Sequence, residues 1–475
     1  MIKLNRKNLK IEENLPIKIV QFGEGNFLRA FVDYAFQQLN KRTDFNGGVA
    51  VVQPIEKGMI DKLKEQDGLY TLFMKGVKNG EEIQEKELIT NIVKCIDPFK
   101  DFDDYLALSK EEELEFIISN TTEAGIAYNA SDKLNMQPPG SFPAKLTVLL
   151  YERFKHFNGD PEKGLIIIPC ELINYNADTL KQIILKYIDL WSLDKSFKNW
   201  ILDGSTFHNT LVDRIVPGYP KDEIEDYNKQ LEYEDDLIVT AEKFFLWVIE
   251  GNEELKKRLP FDKTDLDVKI VNDMQPYRTR KVRILNGAHT AMVPFSILYG
   301  NKTVKETIEN EFTEGFIQKA VFEEIIPTLD MDEKELKNFA NEVFDRFRNP
   351  FIKHRLESIA LNSVSKFKVR VLPSLLEYIN IKNKIPLHLV FALACLIRFY
   401  KGTWNGTKLP INDSDEVIEA FSEIWKLNNF DEIAEATLRN TDFWDKDLGK
   451  VEGLKELISL GLKEIETLMV SKKTL

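Results

Sequence analysis

The stretch IKIVQFGEGNFLR, Ile17 to Arg29, decides the fold. Ile17 to Phe22 is a six-residue apolar run that breaks at Gly23, and Asn26 to Asn40 then reads as an amphipathic helix. A strand that turns through G-x-G into a helix is the first half of a dinucleotide-binding unit. Gly23 permits the tight turn and Gly25 lets the backbone approach a pyrophosphate. The helix N-terminus supplies amide donors and the positive end of a dipole. Phe27 stands near where a third glycine often sits, so the fingerprint is incomplete and its context carries the reading. The expected cofactor contacts from this turn are Phe22, Gly23, Gly25, Asn26 and Phe27.

Working outward, Val49 to Val52, Phe116 to Ser119 and Leu165 to Ile168 are further short apolar runs, and Pro143 to Phe157 has helical spacing. Continuous apolar strands alternating with helices predict a parallel sheet covered on both faces, a doubly wound α/β domain. An acidic side chain after the second strand would accept from ribose hydroxyls and disfavour a 2′-phosphate. Glu56 is the candidate, and with no arginine beside it NAD is favoured over NADP. Thr122 and Glu123 follow another strand, at the carboxyl edge where ligands bind in such sheets. From about Lys281 the texture changes to long helical patterns: Thr303 to Ile326, Glu333 to Phe347 and Leu387 to Tyr400. The expected organisation is an NAD-binding domain over 1–280 and a mostly helical substrate-binding domain over 281–475.

At 475 residues the chain exceeds one ordinary core. A net charge of −13 argues against an extended nucleic-acid surface. No stretch approaches the ~18 uninterrupted apolar residues of a membrane span. The charged N-terminus lacks the apolar middle of a signal peptide, and Cys95, Cys170 and Cys395 form no disulfide framework, so the expected home is the cytoplasm. Neither H-E-x-x-H nor paired cysteines occur, so no catalytic metal is expected. The partner expected is a small molecule, with the chain a monomer or small homo-oligomer.

KVRILNGAHTAMVP, residues 281–294, holds the groups that alcohol–ketone interconversion needs. One group must take the hydroxyl proton, and donors must hold the developing alkoxide. Lys281, Asn286 and His289 can supply these functions. Asn286 and His289, three apart, share a helix face. On a continuous α-helix Lys281 lies about 140° from Asn286, so its convergence predicts that it precedes the helix, in a strand or turn. Arg278, Arg280 and Arg283 are available as positive neighbours to lower a lysine pKa. Between Arg346 and Arg370 seven cations accompany one acid, Glu357. That segment reads either as a solvated helix face or as a cationic wall for an anionic small molecule.

The segments GEGNFLRAF, QDGLYTL (66–72), SNTTEAG (119–125), IPCELINYN (168–176), LVDRIVPGYP (211–220), KVRILNGAHT (281–290) and RFRNPFIKH (346–354) resemble the polyol-specific long-chain dehydrogenases, the mannitol dehydrogenase family. The likeness runs over nearly the whole chain, and the K-x4-N-x2-H spacing is specific to the family. It implies an N-terminal Rossmann domain, a mostly helical C-terminal domain and no catalytic metal. It also implies Lys281 as general base in oxidation and general acid in reduction, Asn286 as donor to the reacting oxygen, and His289 as orienting group. Lys366 matches a family lysine that contacts substrate hydroxyls. Polyol members carry an asparagine after a Cys-Asp pair, where Cys170-Glu171-Leu172 stands here, and an arginine eight residues before the substrate lysine, where Ser358 stands. Asn174 and Asn176 are the candidate replacements for the first. Within the family the likeness is to a branch acting on hexuronate-derived keto acids. Arg348, Lys353, His354 and Arg355 are the expected partners of such a substrate's carboxylate. The alternatives are action on an epimeric keto acid or another polyol, and a silent NAD(H)-binding regulatory protein. Lys281, Asn286 and His289 all being present weighs against the last.

Overall fold

The computed structural model describes residues 2–12, 15–78, 80–122, 124–351 and 354–471. Two compact units divide the chain: Met1–Lys75 with Ile83–Met274, and Gly76–Glu82 with Gln275–Leu475.

Six parallel strands form the sheet of the first unit: β1 (Ile17–Phe22), β2 (Gly48–Val52), β3 (Ile92–Ile96), β4 (Phe116–Ser119), β5 (Ile166–Pro169) and β6 (Thr206–Phe207), in the order β3-β2-β1-β4-β5-β6. Strand order reverses between β1 and β4, so the crevice beyond their carboxyl ends is where a dinucleotide fits in such sheets. The apolar runs are continuous because both faces are covered. Ile19, Val49, Val51, Phe116 and Ile118 pack on one side with Phe31, Phe36 and Leu39, whereas Val20, Phe22, Ala50, Val52 and Ile117 pack on the other with Leu146, Leu149 and Ile184. Alternation along each strand sends neighbours to opposite faces. Among the described residues there are also two three-stranded sheets, one joining Thr210–Asp213, Leu246–Glu250 and Val268–Val271, the other Val239–Glu242, Tyr70–Lys78 and Glu81–Ile89, and a parallel pair of short strands, Ile2–Lys3 and Tyr233–Glu234.

The second unit is mostly helical. Its buried centre is the helix Leu387–Phe399, which packs against the helices Gly287–Tyr299 and Leu454–Ser471. The long helix expected over Thr303 to Ile326 is broken. Asn310, at φ −93° and ψ 117°, ends one helix (Val304–Glu309) and caps the next (Glu311–Lys319) through its side-chain oxygen. An asparagine offers the backbone a local hydrogen bond in place of the helical one, so it punctuates a pattern whose periodicity alone runs on. Among the described residues no helix is long and apolar enough to cross a membrane.

Candidate active site

The turn after β1 is built as its glycines require. Gly23 has φ +125°, and a Cβ there would stand 2.8 Å from Leu28 Cδ1 and 3.1 Å from the Asn120 carbonyl oxygen. Around Gly25 a Cβ would meet nothing within 4 Å, so the backbone entering the helix is open to a ligand. A pyrophosphate fits this cradle: a tight turn, an uncovered glycine and a helix N-terminus at the strand-order reversal. The rings of Phe22 and Phe27 lie against neighbouring aromatic side chains. The Phe22 side chain is fully buried against Tyr105 and Phe142, and Phe27 stacks on Phe31 with centroids 5.0 Å apart. Asn26 Oδ1 accepts from Arg29 Nη2 at 2.7 Å.

Three residues that bear no fingerprint letter hold this turn and the loop after β2. Gln21 Nε2 donates to the Gly23 carbonyl at 3.1 Å. Glu24 is buried and accepts from the Met59 amide at 3.2 Å, its carboxyl pushed up mainly by burial. Gln53 Nε2 donates to the Glu56 carbonyl at 3.2 Å, which leaves the Glu56 side chain exposed beyond β2. Across the reversal, Glu171 Oε1 accepts from the Thr121 amide and hydroxyl, both at 3.0 Å, and Oε2 from Ser119 Oγ at 3.0 Å. This buried carboxylate ties the ends of β4 and β5 and braces the bend at Thr122, where φ is +84°. Glu123 lies outside the described residues. Asn174 and Leu172 are exposed on the loop after β5, and the neighbouring Asn176 is a buried strut, donating to the Pro169 carbonyl at 2.9 Å.

The second unit brings Lys281 into register by a route that periodicity does not disclose. Lys281 does not precede the helix; the backbone is helical from Gln275 to Tyr299, but Lys281–Asn286 is a π turn between the α-helices Gln275–Arg280 and Gly287–Tyr299. With bonds running i to i+5, residues five apart come to lie nearly over one another. Lys281 and Asn286 therefore share a face that an unbroken α-helix would deny them, and His289 continues that face one α-turn on. Ile284 and Leu285 point into the core while Lys281, Asn286 and His289 remain partly exposed.

Of the arginines expected to press on Lys281, Arg280 turns away. It is 3% exposed, pairs with Glu335 at 2.9 Å, and its guanidinium lies 4.2 Å from the Phe339 ring centroid. A positive field falls on His289. Its ring centroid is 4.5 Å from that of Phe347 and 5.0 Å from that of His354, and Nε2 is buried with no hydrogen-bond partner among the described residues. Burial first, then the charges of His354, Arg346, Arg370 and Lys366, hold the imidazole well below its ordinary pKa. It is a neutral ring at physiological pH, able to donate or accept a hydrogen bond. His354 is lowered likewise, by burial and Arg346.

The basic segment thus divides. The charges of Arg346, His354, Lys366 and Arg370 act on His289. Arg348 pairs with Glu314 and, at 3.6 Å, with Asp345. Arg355 is exposed and pairs with Glu357 at 2.9 Å. Two of the expected carboxylate partners are therefore engaged with the chain's own acids, and Lys353 lies outside the described residues. Linear spacing did not single out Arg370; its signal was only its place four residues after Lys366, one turn along a helix.

Comparison with known proteins matches residues 17–263 to the mannitol dehydrogenase Rossmann domain and residues 273–466 to the mannitol dehydrogenase C-terminal domain. The chain belongs to the mannitol dehydrogenase family. Relatives in it include the altronate oxidoreductase of Bacillus subtilis strain 168, 47% identical over 470 residues that cover 98% of this chain and 96% of that protein. The altronate oxidoreductase of Shigella flexneri is 46% identical over 471 residues, 98% of this chain and 97% of that one. Among solved structures of this fold, a substrate-free D-sorbitol dehydrogenase superposes with a TM-score of 0.80 at 21% identity, covering 99% of both chains. The Pseudomonas fluorescens mannitol 2-dehydrogenase, solved with NAD and D-mannitol, gives 0.63 at 19% identity over 99% of this chain and 98% of that one.

Proposed function

We propose that this family member is an NAD-dependent dehydrogenase that interconverts D-tagaturonate and D-altronate, with Lys281 as its general acid and base. Near-full-length identity to altronate oxidoreductases supports the substrate. The observation that carries the chemistry is the π turn, which sets Lys281, Asn286 and His289 on one face. The residues that would hold the dinucleotide are those of the Gly23–Gly25 turn, with Thr122 beside them and Glu56 toward the ribose. The dinucleotide supplies hydride to the keto carbon when bound.

The chain's own residues manage the oxygen. In reduction Lys281 donates a proton to the carbonyl oxygen as it becomes an alkoxide, and in oxidation it takes that proton back. The Asn286 amide donates to the same oxygen and stabilises its developing charge. His289, kept neutral by its surroundings, hydrogen-bonds a substrate hydroxyl without adding charge. Lys366, whose Nζ donates to the Ile359 carbonyl at 2.9 Å, stands ready for a further hydroxyl. A cytoplasmic setting belongs to the same reading, since Cys95, Cys170 and Cys395 are free thiols.

The test is NADH oxidation with tagaturonate, fructuronate and fructose offered separately. Fastest turnover is expected on tagaturonate. Preference for fructuronate would reassign the epimer, preference for fructose would remove the keto-acid reading, and turnover of none would favour a regulatory NAD(H)-binding protein.

A further inference from the structure

The cations of the basic segment differ in what they already hold. Arg348, Arg355 and Lys368 each pair with a carboxylate of the chain, Lys368 with Asp445 at 3.0 Å. Lys366 has the Ile359 carbonyl and the distant charge of Asp413. Arg370 is half-buried, and among the described residues no ion pair or hydrogen bond holds its guanidinium. Burial is the cause that lowers its pKa, with no acid raising it. A guanidinium withdrawn from water beside other cations is costly unless an anion joins it.

The backbone carries this group beside Lys366 and close to Gly287. Lys366 and Arg370 lie four apart on the helix Ser363–Arg370 and so occupy one face. A Cβ at Gly287 would stand 3.2 Å from the Arg370 carbonyl oxygen, so the glycine admits the end of that helix against the residue that follows Asn286. Both charges reach the His289 imidazole. A six-carbon keto acid reduced beside its terminal hydroxymethyl holds its carboxylate four bonds from the reacting carbon, roughly 5 Å away when extended. That span suits a group one side chain beyond His289.

Resting on the keto-acid reading above, we propose that Arg370, with Lys366 beside it, receives the substrate carboxylate and makes the enzyme prefer a keto acid to a neutral ketose. A planar fork of donors matches a carboxylate in a way that an ammonium does not.

Full-length Arg370→Gln, Arg370→Lys and the control Lys368→Gln, which removes the same charge from the same helix, test this. Steady-state kinetics with tagaturonate, competition by the neutral hexitol altritol, and NADH affinity by fluorescence are the readouts. Arg370→Gln should raise KM for tagaturonate roughly ten- to hundredfold, the range for losing a charge-assisted hydrogen bond. Its kcat, altritol inhibition and NADH affinity should change by less than about twofold, and Arg370→Lys should recover part of the loss. Lys368→Gln should match the wild type. An unchanged KM, or equal loss for tagaturonate and altritol, would overturn the proposal while the keto-acid reading stands. A wild type that fails on tagaturonate but reduces a neutral ketose would overturn that reading itself. If Arg370→Gln does not fold, a selective KM increase in Arg370→Lys decides the matter in the same way.

Discussion

Two of the π turns among the described residues use one backbone device for opposite ends. The turn Arg29–Asp33, just past the nucleotide cradle, is buried at all five residues. Arg29 donates to the Leu237 carbonyl and to Asn26 Oδ1, both at 2.7 Å, and lies over the Tyr70 ring. The Tyr70 hydroxyl is 2.7 Å from the Arg29 carbonyl and 3.0 Å from Asp33 Oδ2. Its polar groups are largely consumed by the fold. The turn Lys281–Asn286 buries Ile284 and Leu285 but leaves Lys281 and Asn286 partly exposed. An extra residue in a helical turn displaces every side chain that follows. Where the displaced chains close on one another the turn supports a structure, and where they stay open it assembles a site.

The largest expected contrast comes from removing that extra residue. Deleting Val282 should return the helix to α register with Lys281 and Asn286 four apart and still on one face, so turnover should fall by less than about tenfold, whereas Lys281→Ala should lose roughly 10²–10⁴-fold. Helix content and NADH affinity should persist. The matching deletion of Val32 should instead cost folded protein, measured as soluble yield and melting temperature. If both deletions act alike, the two turns are not used differently.

Next in size, His289→Gln should raise KM roughly tenfold with a smaller change in kcat, as expected for one lost hydrogen bond of substrate orientation. Because the ring is neutral in wild type, the acid limb of the pH–rate profile should not move in this variant. A shifted limb would mean that His289 titrates during turnover.

Asp33 separates the turns by pH. Burial pushes its carboxyl up to about 7 from the ordinary 3.8. A folded pKa raised above the unfolded one gives stability that is whole below about pH 4 and lost as pH rises through about 7. Asp33→Asn should flatten this fall in melting temperature across that window while leaving kcat nearly unchanged. A wild-type melting temperature that rises over the same window would contradict the assignment. The smallest effect is expected at Glu56, whose exposed carboxylate should be worth roughly two- to fivefold in NADH affinity when changed to glutamine.

The fold was legible because its signals are local. An apolar run broken by Gly23, and a glycine that must take φ +125°, announce a strand and a tight turn wherever they occur. Alternating strands and helices then leave few topologies, and the observed order is one of them. The site was legible in its residue types but not in its geometry. Lys281, Asn286 and His289 carry the right chemistry, yet the α-helical period places Lys281 off their face, and no pattern of letters marks the π turn that restores it. The basic segment misled in a related way. Arg348 and Arg355 look as available as Arg370 in the linear run, and only the fold shows Glu314, Asp345 and Glu357 beside the first two. Glu24, Gln53 and Glu171 went unnoticed because they act as buried struts, a role set by partners distant in sequence.

The claim that Lys281 exchanges the proton with the substrate oxygen is tested most directly by chemical rescue. Lys281→Ala enzyme, saturated with NADH and tagaturonate, would be assayed with small primary amines of graded basicity. Amine-dependent turnover that follows amine pKa, with NADH affinity equal to wild type, is the predicted result. Substantial activity without amine, or no rescue by any amine in a variant that still binds NADH and substrate, would contradict it.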